Sequence, residues 1–298
     1  EFRRVLFRSS KESVSELEKN NVKYFVDLTL ASEKKIIPYK TNYTYISYPI
    51  HDHQIPANKI TFAKFIMKLV NIIKNNCSST NKMYIHCKGG HGRAGIVVSV
   101  LLSYINQISP EDALKLTAIY HSKRKTLKEK WKKVGSPQTS QQKNFVYHFC
   151  KPIYFFNITK NETDNISMLS NFSKCEIKMN HGTFMSAEAA IQSFKALHDN
   201  DYITKQINSK SGRLSKLMGD RIKPPCDWEN NKRDIVYKVL KIKFTTNEAA
   251  KSVLLDTQLC KIINKTDDTY WGVNFHNNGL NMLGKILYEI REELLLSN

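Results

Sequence analysis

Cys87 and Arg93 are separated by five residues in MYIHCKGGHGRAG, residues 83–95, and Gly89, Gly90 and Gly92 stand between them. A cysteine, an arginine and a glycine-rich turn are the parts from which a phosphate site can be built. The apolar run before Cys87 reads as a short strand, and AGIVVSVLLSYI after Arg93 is long enough for a buried helix. The strand would deliver the thiol to a loop formed by Lys88, Gly89, Gly90, His91 and Gly92, with its backbone N–H groups turned inward. The helix adds its positive N-terminal end. Such a nest suits both a phosphate dianion and a nucleophilic thiolate, and Arg93 can clamp two phosphate oxygens at once. The segment also spells G-x-G-x-x-G from Gly90 to Gly95. A dinucleotide fold wants an acid about 20 residues further on, at a strand end. That distance falls at residues 110–112, the start of a helix pattern, so the dinucleotide reading lacks its ribose partner.

Cleaving a phosphate ester through a cysteinyl-phosphate needs a proton donor for the leaving oxygen and a positioned water for the second step. Asp52, in PIHDHQIP 35 residues upstream of Cys87, is the acid candidate, and Gln138 and Gln142 in SPQTSQQ are candidates for the water. His91 reads as a loop filler, and His51 and His53 as solvated neighbours of Asp52. Residues 22–150 resemble the cysteine-dependent protein-tyrosine and dual-specificity phosphatase superfamily. His86, Cys87 and Arg93 meet its HC-x5-R signature, Asp27 to Thr29 its DLT strand, Asp52 before Pro56 its acid loop, and Gln138, Thr139 and Gln142 its Q-T-x-x-Q pattern. The resemblance implies Cys87 as nucleophile, residues 88–93 as phosphate binders, Arg93 as clamp, Asp52 as general acid and Gln138 as the water-positioner. Ala94 stands where the family carries the Ser or Thr whose hydroxyl helps the thiol leave.

The second half offers different residues. SAEAAIQSFKALHD places Glu188, Gln192 and Lys195 about one turn apart on a helix, where spacing alone favours a solvated charged face. Trp228 in CDWENNK and Trp271 in DDTYWG lie in polar, loop-like segments and could stack a base. With LSNF, MGDRIKPPCDWENNK, VLKIKF, LLDTQ and GLNMLGKILYEIREEL, these stretches resemble the NADAR, or YbiA-like, family in its order. That resemblance implies a mostly helical domain hydrolysing N-glycosidic bonds of phosphoribosyl or ADP-ribosyl substrates. A carboxylate can stabilise the oxocarbenium-like state of such a cleavage or activate water for it. It nominates Glu188 and Asp268 as acids, Trp228 and Trp271 as walls around the base, and Arg221 and Asn281 as sugar or phosphate contacts. Asn264 stands where the family places a Glu ahead of D-x-Y-W-G, and Val273 and Asn274 replace its acidic-glycine pair.

The elements that must position these groups follow from patterning. Strands are expected over residues 22–30, 43–50 and 83–87, with helices over residues 61–74, after Arg93, after Ser109 as N-cap, and over residues 140–150. Strands alternating with helices predict an α/β fold with a mostly parallel sheet flanked by helices over residues 11–150. A boundary is expected near residue 151, and 151–298 forms the mostly α (α+β) NADAR-like part. Pattern alone shows a helix over residues 186–198, loops rich in Asn, Lys and Pro, and a closing helix over residues 281–296. Residues 1–10, EFRRVLFRSS, read as extraneous and unstructured.

Composition bounds the rest. The 46 Lys and Arg against 27 Asp and Glu give a net charge of +19, a field that attracts phosphates or nucleic acid. RNA 5′-phosphates are therefore an alternative substrate, and a phosphorylated protein or nucleotide the first one. Six scattered cysteines with no C-x-x-C pair argue against a zinc site or a disulfide framework, so no metal or cofactor is expected and the compartment is read as reducing and cytoplasmic. No apolar run approaches the ~20 residues that span a bilayer.

Overall fold

The computed structural model describes residues 5–9, 14–34, 36, 38–124, 127–156 and 165–297. The chain divides into two compact units, Glu1–Lys151 and Pro152–Asn298.

The first unit is built on a sheet of β1 (Val5–Ser9), β2 (Val22–Asp27), β3 (Thr44–Ser47) and β4 (Lys82–Cys87), in the order β1-β4-β2-β3 with every pairing parallel. The order places β4, which ends on Cys87, inside the sheet. Phe25 and Val26 on β2 and Met83 to Ile85 on β4 are buried, as a covered parallel sheet requires. Parallel neighbours need a crossover, and α2 (Lys59–Asn75) supplies one between β3 and β4. Asn58 caps it by accepting from the N–H groups of Ile60 and Thr61, both at 2.9 Å. α3 (Arg93–Asn106) is apolar all round, and Ile96 to Leu102 lie in the core. α4 (Pro110–Ser122) starts at Ser109, whose Oγ accepts from the Asp112 N–H at 3.1 Å. α5 (Glu129–Val134) and α6 (Ser140–Cys150) complete the unit. One expectation is overturned. Residues 1–10 include β1, which pairs from Val5 opposite Met83 to Ser9 opposite Cys87, so an apolar, β-favouring segment occupies the sheet edge beside β4.

In the second unit β5 (Ile153–Phe156) pairs parallel with β8 (Ile262–Lys265), and β6 (Lys174–Met179) forms a hairpin with β7 (Gly182–Ser186). The remainder is helical: α7 (Ala187–Ser193), α8 (Asn200–Ile207), α9 (Gly212–Gly219), α10 (Trp228–Thr246), α11 (Glu248–Asp256) and α12 (Met282–Leu296). Much of the stretch that pattern assigned to loops is therefore helix. Three of the helices are short, and each starts on a polar cap: Asp199 accepts from Tyr202 N at 2.9 Å, Ser211 from Leu214 N at 3.2 Å and Asn247 from Ala250 N at 2.9 Å. α10 hides its amphipathicity behind a Lys- and Asn-rich face, yet Val236, Val239, Leu240 and Phe244 are buried at helical spacing. They pack with Leu283, Ile286, Leu287 and Ile290 of α12, the stripe visible in the sequence. Among the described residues no helix is long and apolar enough to cross a membrane.

Candidate active sites

In the first unit, Cys87 ends β4 and Arg93 opens α3, so residues 88–92 form the turn between a strand and the positive end of a helix. Two carbonyls of that turn are tethered from outside. Arg124 Nη1 donates to Gly90 O at 2.8 Å, and Ser136 Oγ donates to His91 O at 2.6 Å. A trans peptide holds its C=O and the following N–H on opposite sides. Fixing those two carbonyls outward therefore turns the N–H groups of His91 and Gly92 into the loop. Gly92 is required by contact, since a Cβ there would lie 2.8 Å from both amide atoms of Gln142.

Arg93 is buried to 1% exposure and gathers acceptors from separate segments. Nη1 donates to Leu28 O at 3.3 Å, to Ile50 O at 2.8 Å and to Glu33 Oε1, while Nη2 donates to Glu33 Oε2 at 3.1 Å. Asp52 Oδ1 is 2.9 Å from Nη2. Burial works against the guanidinium charge, but the Glu33 hydrogen bonds, with Cys87 and Asp52 beside them, outweigh it and hold the Arg93 pKa above its usual range. Burial likewise pushes Glu33 up, and the Arg93 hydrogen bonds override it, keeping that carboxyl below its ordinary range. Glu33 was not among the residues singled out by sequence. An acid in ASEKK carries no periodic or motif signal, and only the fold brings it to Arg93. Asp52 is 46% exposed and accepts from the His53 N–H at 3.1 Å, an open position from which a carboxyl can meet a leaving group.

The two glutamines have separate roles. Gln142 is fully buried, and its Oε1 accepts from the N–H groups of Gln138 and Thr139 while Nε2 donates to Gln54 O at 3.1 Å. Both ends of that amide are therefore engaged. The Gln138 side chain makes no hydrogen bond among the described residues and follows the Ser136–Pro137 pair that contacts the loop. Ala94 is completely buried, so the position after Arg93 offers packing and no hydroxyl. Behind Cys87, His86 Nε2 meets Tyr39 OH at 2.7 Å, and its ring stacks on Tyr84 at 5.2 Å. Asp27 lies 3.8 Å from His86 and accepts from Thr29 Oγ1 at 2.7 Å and from Tyr45 OH at 2.9 Å. Burial lowers the His86 pKa against the pull of Asp27.

In the second unit Glu188, Gln192 and Lys195 are all buried, which corrects the solvated-face expectation. They face the turn after α9. Gln192 Nε2 donates to Glu188 Oε1 at 2.7 Å, and Lys195 Nζ donates to Gly219 O at 2.8 Å and lies 3.9 Å from Asp220. Burial raises the Glu188 pKa, opposed by the Gln192 hydrogen bond and by Lys216 and Lys195. Burial also lowers that of Lys195, and Lys216 adds to the effect. Trp228 is half-buried at the start of α10 rather than in a loop, with Lys195 Nζ 5.6 Å from its ring centroid. Arg221 follows Asp220 and is exposed. One turn along α10, Lys232 Nζ sits 3.9 Å over the Tyr270 ring, and that ring meets Trp271 edge-on at 4.8 Å.

Asp268 and Asn281 act differently from expectation. Asp268 is exposed, and its Oδ1 accepts from the N–H groups of Tyr270 at 3.0 Å and Trp271 at 3.1 Å, the work of a turn cap. Asn281 is buried, with Oδ1 accepting from Asn264 N at 3.0 Å and Nδ2 donating to Ile262 O at 2.8 Å. Both ends of its amide tie β8 to the start of α12. Asn264 is fully buried and donates through Nδ2 to Trp271 O at 3.3 Å. Among the described residues no group of His, Cys, Asp and Glu could hold a metal ion.

Residues 4–107 match the family model described as polymorphic toxin system, DSP-PTPase phosphatase, and residues 154–295 match that of the NADAR domain. A curated relative, "Putative tyrosine phosphatase 197R" of Invertebrate iridescent virus 6, is 40% identical over 170 residues, 56% of this chain and 55% of the relative. The chain thus spans about half the length of that viral protein. The N-glycosidase YbiA of Escherichia coli is 34% identical over 137 residues, 45% of this chain and 85% of the enzyme. The NMR structure of E. coli YbiA aligns at 28% identity and a TM-score of 0.43, over 49% of this chain and 88% of that one. The chain carries a DSP-PTPase phosphatase-like domain in its N-terminal half, and its C-terminal half belongs to the NADAR domain family.

Proposed function

We propose that the chain is a bifunctional hydrolase, a cysteine-dependent phosphomonoesterase over residues 11–150 and an N-glycosidase over residues 151–298. The observation that carries the first part is the buried Arg93, set at the end of a loop whose outer carbonyls are tied back, with Asp52 at 2.9 Å. Cys87 Sγ attacks phosphorus as the bond to the substrate oxygen breaks, and Asp52 gives that oxygen its proton. The resulting cysteinyl-phosphate is attacked by water held by Gln138. The S–P bond breaks, the thiolate returns, and Asp52 takes the proton from the water. Arg93 and the inward N–H groups carry the charge on the equatorial oxygens. The test is phosphate release from a phosphotyrosine peptide, a phosphoserine peptide and 5′-triphosphate RNA, with Cys87→Ser as blank. Release at the blank's level from all three refutes the phosphatase reading, and their ranking gives the substrate class.

The second part rests on Glu188, a buried carboxyl whose raised pKa favours the protonated form. It would donate to the leaving nitrogen as C1′–N breaks, then accept the proton of the water that adds at C1′. Trp228 would flank the base, and Arg221 would meet phosphate. Equal release of free base from phosphoribosyl and ADP-ribosyl substrates by wild type and Glu188→Ala would remove this assignment.

A further inference from the structure

His91 sits inside the phosphate loop, yet its ring is turned away from a ligand role. It lies flat against Trp131 of α5, with centroids 4.5 Å apart and planes at 16°. Its other face closes on Gly89, where an added Cβ would come within 2.7 Å of the imidazole. Its edge meets a second histidine from α4: His91 Nδ1 and His121 Nε2 are 2.8 Å apart. His121 is completely buried, and among the described residues its Nδ1 has no partner. A pair of neutral imidazoles bonds in only two ways. If His91 donates, the His121 proton resides on Nδ1, a buried N–H without an acceptor. If His121 Nε2 donates, Nδ1 is a bare lone pair, and the proton of His91 moves to its outward nitrogen. The second tautomer strands no donor. Arg124, whose guanidinium holds Gly90 O, is the charged group facing both rings, and it disfavours a proton added to either.

We propose that His121 is a positioning residue of the phosphate loop, its Nε2–H fixing His91 and through it the inward N–H groups of residues 91 and 92. The inference rests on reading residues 87–93 as an oxyanion site and adds a residue that lies 34 positions downstream of Cys87 in sequence. Three further residues from the same stretch reach the loop, Arg124 to Gly90 and both Trp131 and Ser136 to His91. With His121, these residues form the back wall of the loop.

The test compares the full chain with His121→Phe, which keeps a buried ring and removes the donor, and with His121→Gln, whose amide nitrogen reaches the position of Nε2. Orthovanadate affinity, kcat and KM on an aryl phosphate, and Tm are measured for each. Losing one loop-fixing hydrogen bond should weaken vanadate binding about tenfold in the Phe variant. KM should rise more than kcat falls, with Tm within a few degrees of wild type, and Gln should restore most of the affinity. Should the Phe variant fail to fold, Trp131→Leu removes the brace from the other side and should weaken vanadate in the same direction. Unchanged affinity in His121→Phe, or equal impairment in Phe and Gln, overturns the inference. Vanadate binding without turnover in wild type, with the same loss in Phe, supports it while refuting only the phosphatase reading. A wild type that binds no vanadate overturns both.

Discussion

Asp52→Asn separates chemistry from structure. The Asp52 carboxyl is nearly half exposed and pairs with Arg93, which keeps three other acceptor groups in Leu28, Ile50 and Glu33, while the exposed His53 ring lies 3.9 Å from its other oxygen. Only the Asp52 end of the pair meets solvent, an end where an ion pair is worth about 0–1 kcal/mol, and the Asn carbonyl can still accept from Nη2. Stability should therefore change by less than about 1 kcal/mol, a Tm shift of about 4 °C or less for a unit of this size. A lost general acid costs about 10²–10⁴ in rate, or about 3–5 kcal/mol in the barrier. The size should depend on the leaving group. A phosphoserine peptide expels a strongly basic alkoxide and should show the full loss, whereas an aryl phosphate with an electron-withdrawing ring expels a stable phenolate and should show little. Steady-state kcat/KM on both substrates, with thermal unfolding as control, reads this directly. A loss of equal size on both would refute general-acid catalysis and leave Asp52 as an anchor for Arg93. No loss on either would remove it from the site.

Other predictions follow from the same contacts. Gln138→Ala should leave Tm unchanged and give a burst of the released phenol followed by slow release of phosphate, whereas Gln142→Ala should cost about 1–2 kcal/mol through loss of its cap; reversed effects would exchange the two roles. Glu188→Gln preserves the hydrogen bond from Gln192 and should keep stability, while base release falls by at least about 10²; retained activity would show that the carboxyl transfers no proton. His91 and His121 both have pKa values pushed down to about 4, first by burial and then by Arg124 for His91 and by His91 and Arg124 for His121. The unfolded chain takes up protons near pH 6.5 that the folded pair refuses until about pH 4. This contribution to the stability of the first unit should thus be fully present above pH 6.5 and fall by up to about 3 kcal/mol per histidine on acidification toward pH 4, and His121→Phe should flatten that slope in denaturant titrations. Asn281→Ala strands the Asn264 N–H and Ile262 O and should lower stability by about 2–3 kcal/mol, where a role in substrate contact alone would move only KM.

Cys87, Arg93, the loop between them and Asp52 were legible because their chemistry imposes residue types at short or recognisable spacing. Glu33 was not, because its only signal is a distance of 60 positions to Arg93. The burial of Lys195 was hidden for a related reason. A helix with charged residues one turn apart looks solvated until another element covers it, and here the last residue of α9 supplies the carbonyl that accepts from the ammonium. Helices α8 to α11 were obscured by Asn and Lys on their exposed faces, since pattern reads the polar majority before the few buried positions such as Val236 and Leu240. Asn281 was nominated by family resemblance alone, and nothing in its neighbourhood in sequence shows that its amide bridges backbone groups of β8 and the start of α12.

The Gln142 amide carries an evolutionary implication. One oxygen starts α6, one nitrogen holds the Gln54 carbonyl two residues from the acid, and the whole group rests on Gly92. A substitution there cannot be compensated at a single second position, because a donor, an acceptor and a shape must all be replaced at once. Pairwise mutant scans of the first unit should therefore find strong epistasis between position 142 and both 54 and 92. Drift along a lineage should preserve or exchange these three positions as a group.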